Sequence, residues 1–596
     1  MKYSLETSKA AGPNSSRPNG SNKPSTLTAG VERFMPLMKP EQGLVIVALL
    51  AMLVSTCAAL IGPIIIGRSV DTYVRLKDSH GLLLAAVVLM GVYLVGVASS
   101  YTQIRTMGGV GRRVLFSLRN ALFMKLQDLP VAFFNQNKAG DLISRVNNDT
   151  DKLNQFVGQA LMQFLSSLFL MAGSAIFALS LNFRLGVAAL LPAAAVLIVT
   201  KATSAWVKAR NLKSLQSVGG MTSEVQQSLE NFKVIVAFHR MDYFEEKFEA
   251  ANEANYAASV SAGYANNLFM PMYGLAHHLA QLLVVTYGIV LIGSAQTTTG
   301  QLIGFLLYVN SFYGPMRQLA TVWASFQLAL AALDRISEVL ALESDMDLVS
   351  TNGPVASPAV LEFRNVSFEY PGGKAVLRDV SFELEKGKAY ALVGPTGGGK
   401  TTTASLMARL YDPTQGSVFL NGQDIRSVSP DDRSRKVGFI PQEPFLFTGN
   451  VRDNILYGND EYGDYSTAQL AQVLEKEKLS TLLARFPEGL DTKVTSSGNS
   501  ISLGQKQLIA FMRATLRKPE LLILDEATAN IDTVTEQLLE EILDKLPPET
   551  TKVIIAHRLN TIDNVDQIYF VNSGGVELAG SMEHAVDMLL HRKRES

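Results

Sequence analysis

Ala389-Tyr390-Ala391-Leu392-Val393-Gly394-Pro395-Thr396-Gly397-Gly398-Gly399-Lys400-Thr401 decides how the C-terminal half of this chain is read. The first five residues form an apolar strand. The next eight match the G-x-x-x-x-G-K-[ST] phosphate loop, with the pattern of a helix following. The glycines Gly394, Gly397, Gly398 and Gly399, with Pro395 and Thr396 between them, let backbone N–H groups wrap phosphate oxygens. Lys400 is then placed to reach β- and γ-phosphates, and Thr401 to offer its hydroxyl to Mg²⁺. The helix that starts here adds the positive end of its dipole. A chance glycine-rich turn would lack the strand before and the helix after.

A second element further on gives the loop a counterpart. Leu521-Leu522-Ile523-Leu524-Asp525-Glu526 is an apolar run ending in two carboxylates. Such runs are how parallel strands buried on both faces read. Asp525 at the strand end can hold Mg²⁺, and Glu526 beside it is placed to polarise or deprotonate a water. The soluble pattern begins near residue 360, where Leu361, Phe363, Val366 and Phe368 alternate with polar residues.

The N-terminal half is of another kind. The chain has 596 residues, 47% hydrophobic and only 18% charged, and its long charge-free apolar runs all precede residue 330. That excludes a purely soluble enzyme and a disordered chain. A net charge of −1 gives no support to nucleic-acid binding, and the single Cys57 excludes a disulfide framework, a four-cysteine zinc site or an iron–sulfur cluster. A spanning helix needs about 20 apolar residues. Six segments qualify: 44–67, 82–101, 156–181, 185–200, 268–292 and 302–326. Asn182, Phe183 and Arg184 alone separate the third from the fourth, which predicts a tight hairpin. The connections after the second and fourth spans are rich in Lys and Arg, which predicts that they and both termini are cytoplasmic. Amphipathic helical patterns run through Val114–Leu129 and Val225–Phe248, predicting helices that project from the membrane. Residues 1–34, rich in Ser, Asn, Pro, Gly and Lys, read as a disordered tail.

Together these segments predict a six-span α-helical transmembrane domain (35–340), a linker (341–359) and an α/β phosphate-loop ATPase domain with an antiparallel β part and a helical part (360–596). Ile501-Ser502-Leu503-Gly504-Gln505-Lys506-Gln507 resembles the ABC transporter signature, and Ser502 precedes Asp525 by 23 residues, the spacing that family shows. Other segments resemble the same family's motifs. They are Tyr370 (an aromatic that stacks on adenine), Gln442 in Pro441-Gln442-Glu443, Asp532 in Ala529-Asn530-Ile531-Asp532, and His557 in Ala556-His557-Arg558. In the membrane half, Gly140-Asp141-Leu142-Ile143-Ser144-Arg145 and Phe133-Phe134-Asn135 look like the first coupling loop of its exporters, and Glu230–Phe238 like the second. Two positions depart from the common pattern: Leu503 stands where Gly is usual, and Ser496 where a Glu often precedes the signature.

The resemblance implies a half-transporter whose ATP sites form between two chains. Tyr370, residues 394–401 and Thr402 would hold nucleotide from one chain, with Ser502, Gly504, Gln505 and Asp532 contributed across the dimer. Thr401, Gln442 and Asp525 would hold Mg²⁺, and Glu526, His557 and Gln442 would carry catalysis. The implied activity is ATP-driven export or flipping of hydrophobic or amphipathic substrates across an inner or plasma membrane. The second half is a like chain or a different one. An ATP-gated channel or regulator on the same scaffold is the alternative. Within the spans, His277 and His278 are rare ionisable groups, and at least one of them is expected to line the pathway near Met270, Met272, Tyr273 and Gln281, against the plainer reading of interhelical bonding.

Overall fold

The computed structural model describes Tyr3, Leu5 and residues 36–591, apart from 37, 351–356, 371–372, 460, 496–500, 526–532, 544–545 and 556–564. Its contacts divide the chain into two compact units. One comprises Leu5–Gln127 and Ala139–Ala341; the other comprises Met1–Ser4, Asp128–Lys138 and Leu342–Ser596.

In the first unit, apolar length makes the fold. Among the described residues six helical stretches are long and apolar enough to cross a membrane: Lys39–Val74, Ser79–Asp128, Ala139–Leu181, Phe183–Glu230, Met241–Gly293 and Thr299–Leu340. All six expected spans lie inside them. The hairpin between the third and fourth is tighter than expected. Asn182 alone leaves the helical region, and its side-chain oxygen accepts from Leu185 N at 3.1 Å to cap the fourth helix. The last helix starts with a reciprocal cap between Thr298 and Gln301. The third stretch is not a uniform α-helix, since π turns at Arg145–Asp149 and Phe156–Ala160 interrupt it.

One expected helix is broken. The amphipathic pattern over Val225–Phe248 spans the end of one helix at Glu230, a short helix Phe232–Ala237, and the start of another at Met241. Asn231 and Arg240 leave the helical region, and His239 takes a left-handed φ of 50°. Helical periodicity continues across such a break because the apolar residues still recur near the right spacing. The Val114–Leu129 pattern, by contrast, runs nearly to its end inside the 50-residue helix Ser79–Asp128.

Two close approaches hold the first unit. Gly67 and Gly300 bring their backbones together. A Cβ on Gly300 would lie 2.0 Å from Gly67 O and 2.6 Å from Asp71 Cγ. Asp71 accepts there from Gly300 N at 2.8 Å and from the Thr298 hydroxyl. In the π turn of the third stretch, Arg145 is only 1% exposed yet donates to Asp141 at 2.9 Å and to Glu338 at 2.7 Å. Arg335 joins Asp141 and Asp149 to the same cluster.

The second unit is the α/β domain. Strands β1 (Ala359–Glu369), β2 (Ala375–Glu385), β4 (Gln415–Leu420) and β5 (Gln423–Asp424) form an antiparallel sheet in the order β2-β1-β4-β5. A second sheet runs β12-β11-β3-β10-β9-β6, with β3 (Ala389–Val393), β6 (Val437–Ile440), β9 (Leu521–Asp525), β10 (Thr551–Ile555), β11 (Gln567–Asn572) and β12 (Gly575–Leu578). All its pairs are parallel except β11 with β12, and two short strands, β7 (Gly449–Asn450) and β8 (Lys493–Val494), pair antiparallel apart from it. Every residue of β9 is buried, as its continuous apolar run requires. A helical part packs Leu470, Leu474, Leu482, Leu508 and Phe511 into a separate core cluster. Of the tail expected to be disordered, Tyr3 and Leu5 are buried, at 2% and 4% exposure. Tyr3 O accepts from Asn137 Nδ2 at 2.8 Å and Tyr3 OH accepts from Asp345 N at 3.0 Å. Burial and the Asp345 carboxyl push its phenol well above the ordinary range. The remaining tail residues before 36 lie outside the described ones.

Candidate active site

Sheet register brings the scattered motifs to one edge. Leu392 of β3 pairs with Ile555 of β10, Ile555 with Asp525 of β9, and Leu524 with Ile440 of β6. The C-terminal ends of these strands therefore stand in a row. The 394–399 loop leaves the first, Asp525 ends the third, and Gln442 follows the fourth by two residues. Ligand sites of open parallel sheets form at this edge.

Two glycines set the ends of the loop. Gly394 has φ 148°, and a Cβ there would lie 2.0 Å from Val571 O on β11. Gly399 has φ 114° and caps the helix Lys400–Met407 in the left-handed region. Lys400 is buried, and its ammonium donates to Gly394 O at 2.8 Å and Pro395 O at 3.1 Å, folded back over the loop. The next side chain, Thr401, brings its hydroxyl to 3.3 Å from Asp525 Oδ1, across 124 residues of sequence. Thr402 is buried behind the loop and shares a 3.0 Å hydrogen bond with Tyr370 OH. The Tyr370 ring stands edge-on to Phe368 and Tyr411, at 4.9 and 5.3 Å.

The signature stretch is built differently. Ser502 caps the helix Leu503–Thr515, accepting from Gln505 N at 3.2 Å while Gln505 Oε1 accepts from Ser502 N at 2.9 Å. Gln505 Nε2 donates to Arg485 O at 2.6 Å. This amide is thus committed to the cap and its neighbour. The helix belongs to the cluster around Leu508, whereas the phosphate-loop helix packs Ala404, Leu406 and Met407 into the cluster of the two sheets. Glu526, Asp532 and His557 lie outside the described residues.

Comparison with known proteins gives this arrangement a family. The ABC transporter transmembrane region family matches residues 45–316, and the ABC transporter family matches residues 377–529. A multidrug resistance ABC transporter ATP-binding and permease protein of Lactococcus lactis is 30% identical over 93% of both chains. The mouse mitochondrial ATP-binding cassette sub-family B member 10 is 32% identical over 93% of this chain and 78% of its own. The chain belongs to the ABC transporter family. A fatty acid ABC transporter ATP-binding/permease protein of Mycobacterium tuberculosis is also similar, 31% identical over 83% of this chain and 77% of its own.

This ABC transporter carries its membrane region and its ATPase in one chain, a half-transporter that binds nucleotide and couples ATP hydrolysis to transport. Within its ATPase unit, the segment read as the first coupling loop is folded as a short helix, Val131–Gln136. Asn135 Nδ2 donates to Tyr411 OH at 2.6 Å. Burial pushes the Tyr411 phenol up, and the Asn135 bond opposes this. Tyr411 also touches Tyr370, so one aromatic group connects the coupling segment to the residue tied to Thr402.

The two histidines have different surroundings. The His277 ring lies 5.6 Å from Tyr313, beside the apolar cluster that includes Tyr273, Ala276 and Phe305. His278 instead approaches Gln281 at 3.3 Å. A cavity of the membrane unit is lined from the first, second, third and sixth helical stretches. Sequence reading passed over its residues, although Gln155, Gln159 and Gln163 recur every four residues and mark one helix face.

Proposed function

We propose that this ABC half-transporter works as a homodimer that exports or flips hydrophobic or amphipathic molecules across an inner or plasma membrane, both termini and the ATPase being cytoplasmic. In this reading the transmembrane domain occupies 35–340 and the ATPase 360–596. The observation that carries it is the 3.3 Å approach of the Thr401 hydroxyl to the Asp525 carboxylate, beside the buried Lys400 and in a chain with six spanning helices.

A hydroxyl and a carboxylate side by side, with the Gln442 amide following the neighbouring strand β6, form a hard oxygen donor set that suits Mg²⁺. Bound Mg²⁺ would neutralise charge on the β- and γ-phosphates. The chain's own residues do the rest. Loop N–H groups and the Lys400–Met407 helix N-terminus hold the phosphates, and Lys400 leaves its carbonyl partners to meet them. Tyr370 offers its ring to adenine. Glu526 accepts the proton of the attacking water, and His557 steadies the γ-phosphate.

Ser502 and Gly504 head a helix with no hydrogen bond to the phosphate loop among the described residues. Two copies facing each other would supply each loop with the partner's signature helix. ATP then acts as the bond between ATPase domains, and hydrolysis releases it. Purified chain expressed alone and reconstituted in proteoliposomes tests this. A monodisperse dimer that hydrolyses ATP and moves fluorescent lipids or dyes supports it, and an inactive or aggregated chain points to an obligatory different partner.

A further inference from the structure

The membrane unit holds a cavity of about 950 Å³, within the size range of small-molecule sites. Its wall is unusual for a span bundle. Gln103, Asn154, Gln155, Gln159, Gln163 and Gln318 line it. Gln103 is only 8% exposed. Across the cavity, Gln163 Nε2 donates to Gln318 Oε1 at 3.4 Å, a long bond that a ligand can replace.

The cavity's ionisable groups have one sign. Arg105 and Arg112 line it, and among the described residues no Asp or Glu does. Neighbouring cations on the same helix are paired, Arg113 with Glu41 at 2.6 Å and Arg119 with Asp151 at 2.9 Å. Arg105 and Arg112 have no carboxylate partner among the described residues. Along the helix axis they lie about 6 and 16 Å beyond Tyr101, the end of the apolar segment, at 1.5 Å per residue. On a head-group layer about 5–8 Å thick, the cavity therefore reaches from head-group depth beside Arg105 to aqueous depth beside Arg112. Ile104, Met107, Met162 and Leu170 supply an apolar wall beside the amides.

We propose that this cavity takes an anionic amphiphile: its charged head on Arg105 and Arg112, its hydrogen-bonding groups on the glutamines, its tail against the apolar wall. The inference rests on the export reading above and names the substrate class of that transporter. Guanidinium groups bind carboxylate and phosphate through paired N–H donors, and they disfavour a cationic head in the same place.

The test uses the reconstituted full-length dimer and a matched set of fluorescent acyl probes. One ends in a carboxylate, one in its methyl ester and one in a quaternary ammonium; a fluorescent phosphatidylglycerol provides a two-chain anion. The carboxylate probe should stimulate ATP hydrolysis, and be moved, at a concentration about tenfold below that of the ammonium probe. The two-chain probe tells whether the anion is a bilayer lipid or a single-chain amphiphile, and movement of either anion supports the proposal. Arg105→Gln with Arg112→Gln should bring the carboxylate-to-ammonium ratio near one, and Arg105→Glu with Arg112→Glu should invert it. Because the ratio is read within one preparation, general loss of fold does not imitate inversion. Ammonium or ester transport in preference to carboxylate overturns the anion proposal and leaves the exporter standing. If no probe is moved or stimulates hydrolysis, both readings fall.

Discussion

Arg145 Nη1 donates to Glu338 Oε2 at 2.7 Å, and this guanidinium is 1% exposed while its partner is 37% exposed. The pair joins a π turn of the third spanning stretch to the C-terminal part of the sixth, 193 residues away. Asp141 holds both Arg145 and Arg335, so the cluster is a network and not an isolated pair. Arg145→Ala leaves carboxylates without their buried cation and should cost about 3 kcal/mol. Glu338→Gln, at the half-exposed side, should cost less than about 1 kcal/mol. Thermal unfolding of the purified dimer distinguishes the two; equal losses contradict the network.

Glu526→Gln should lower ATP turnover by about 10²–10⁴ while preserving nucleotide binding, because the amide fills the same space but accepts no proton. Lys400→Ala should weaken binding itself, since it removes the ammonium now held by Gly394 O and Pro395 O. Fluorescent-nucleotide titration beside phosphate release separates these outcomes. Near-normal hydrolysis by the Gln variant contradicts the assignment of the base.

Gly300→Ala should destabilise the membrane unit by about 2 kcal/mol, because its Cβ would enter the space of Gly67 O and Asp71. Gly293→Ala, with nothing within 4 Å of its added carbon, is the control. A thermal shift that treats the two alike would show that the glycine contact does not hold the spans together.

Tyr3→Ala should cost about 3 kcal/mol, the usual loss for a buried aromatic side chain. Tyr3→Phe keeps the ring and should cost about 1 kcal/mol for the lost bond to Asp345 N. Differential scanning calorimetry of the dimer reads both. No change with either variant would mean that Tyr3 does not anchor the tail.

Much of this transporter was legible in order along the chain. Six apolar runs required spanning helices, because hydrocarbon leaves unpaired backbone groups no other solution. Gly394–Thr401 required a phosphate loop, because few other residues allow a chain to wrap an anion with its own N–H groups. Both are local constraints, written in consecutive residues. The broken helix around Asn231 escaped that reading because helical periodicity does not register a turn that keeps its phase. Tyr3 escaped it because a polar tail has no pattern that marks one buried ring. Proximity between distant residues was decided by folding alone. Sheet register set Thr401 beside Asp525, and the crossing of helices gave Arg145 its carboxylates and gathered Gln103, Gln163 and Gln318 around one cavity. Sequence determines which groups a segment offers; only packing decides which of them lose water together, and it is shared loss of water that turns a side chain into a site.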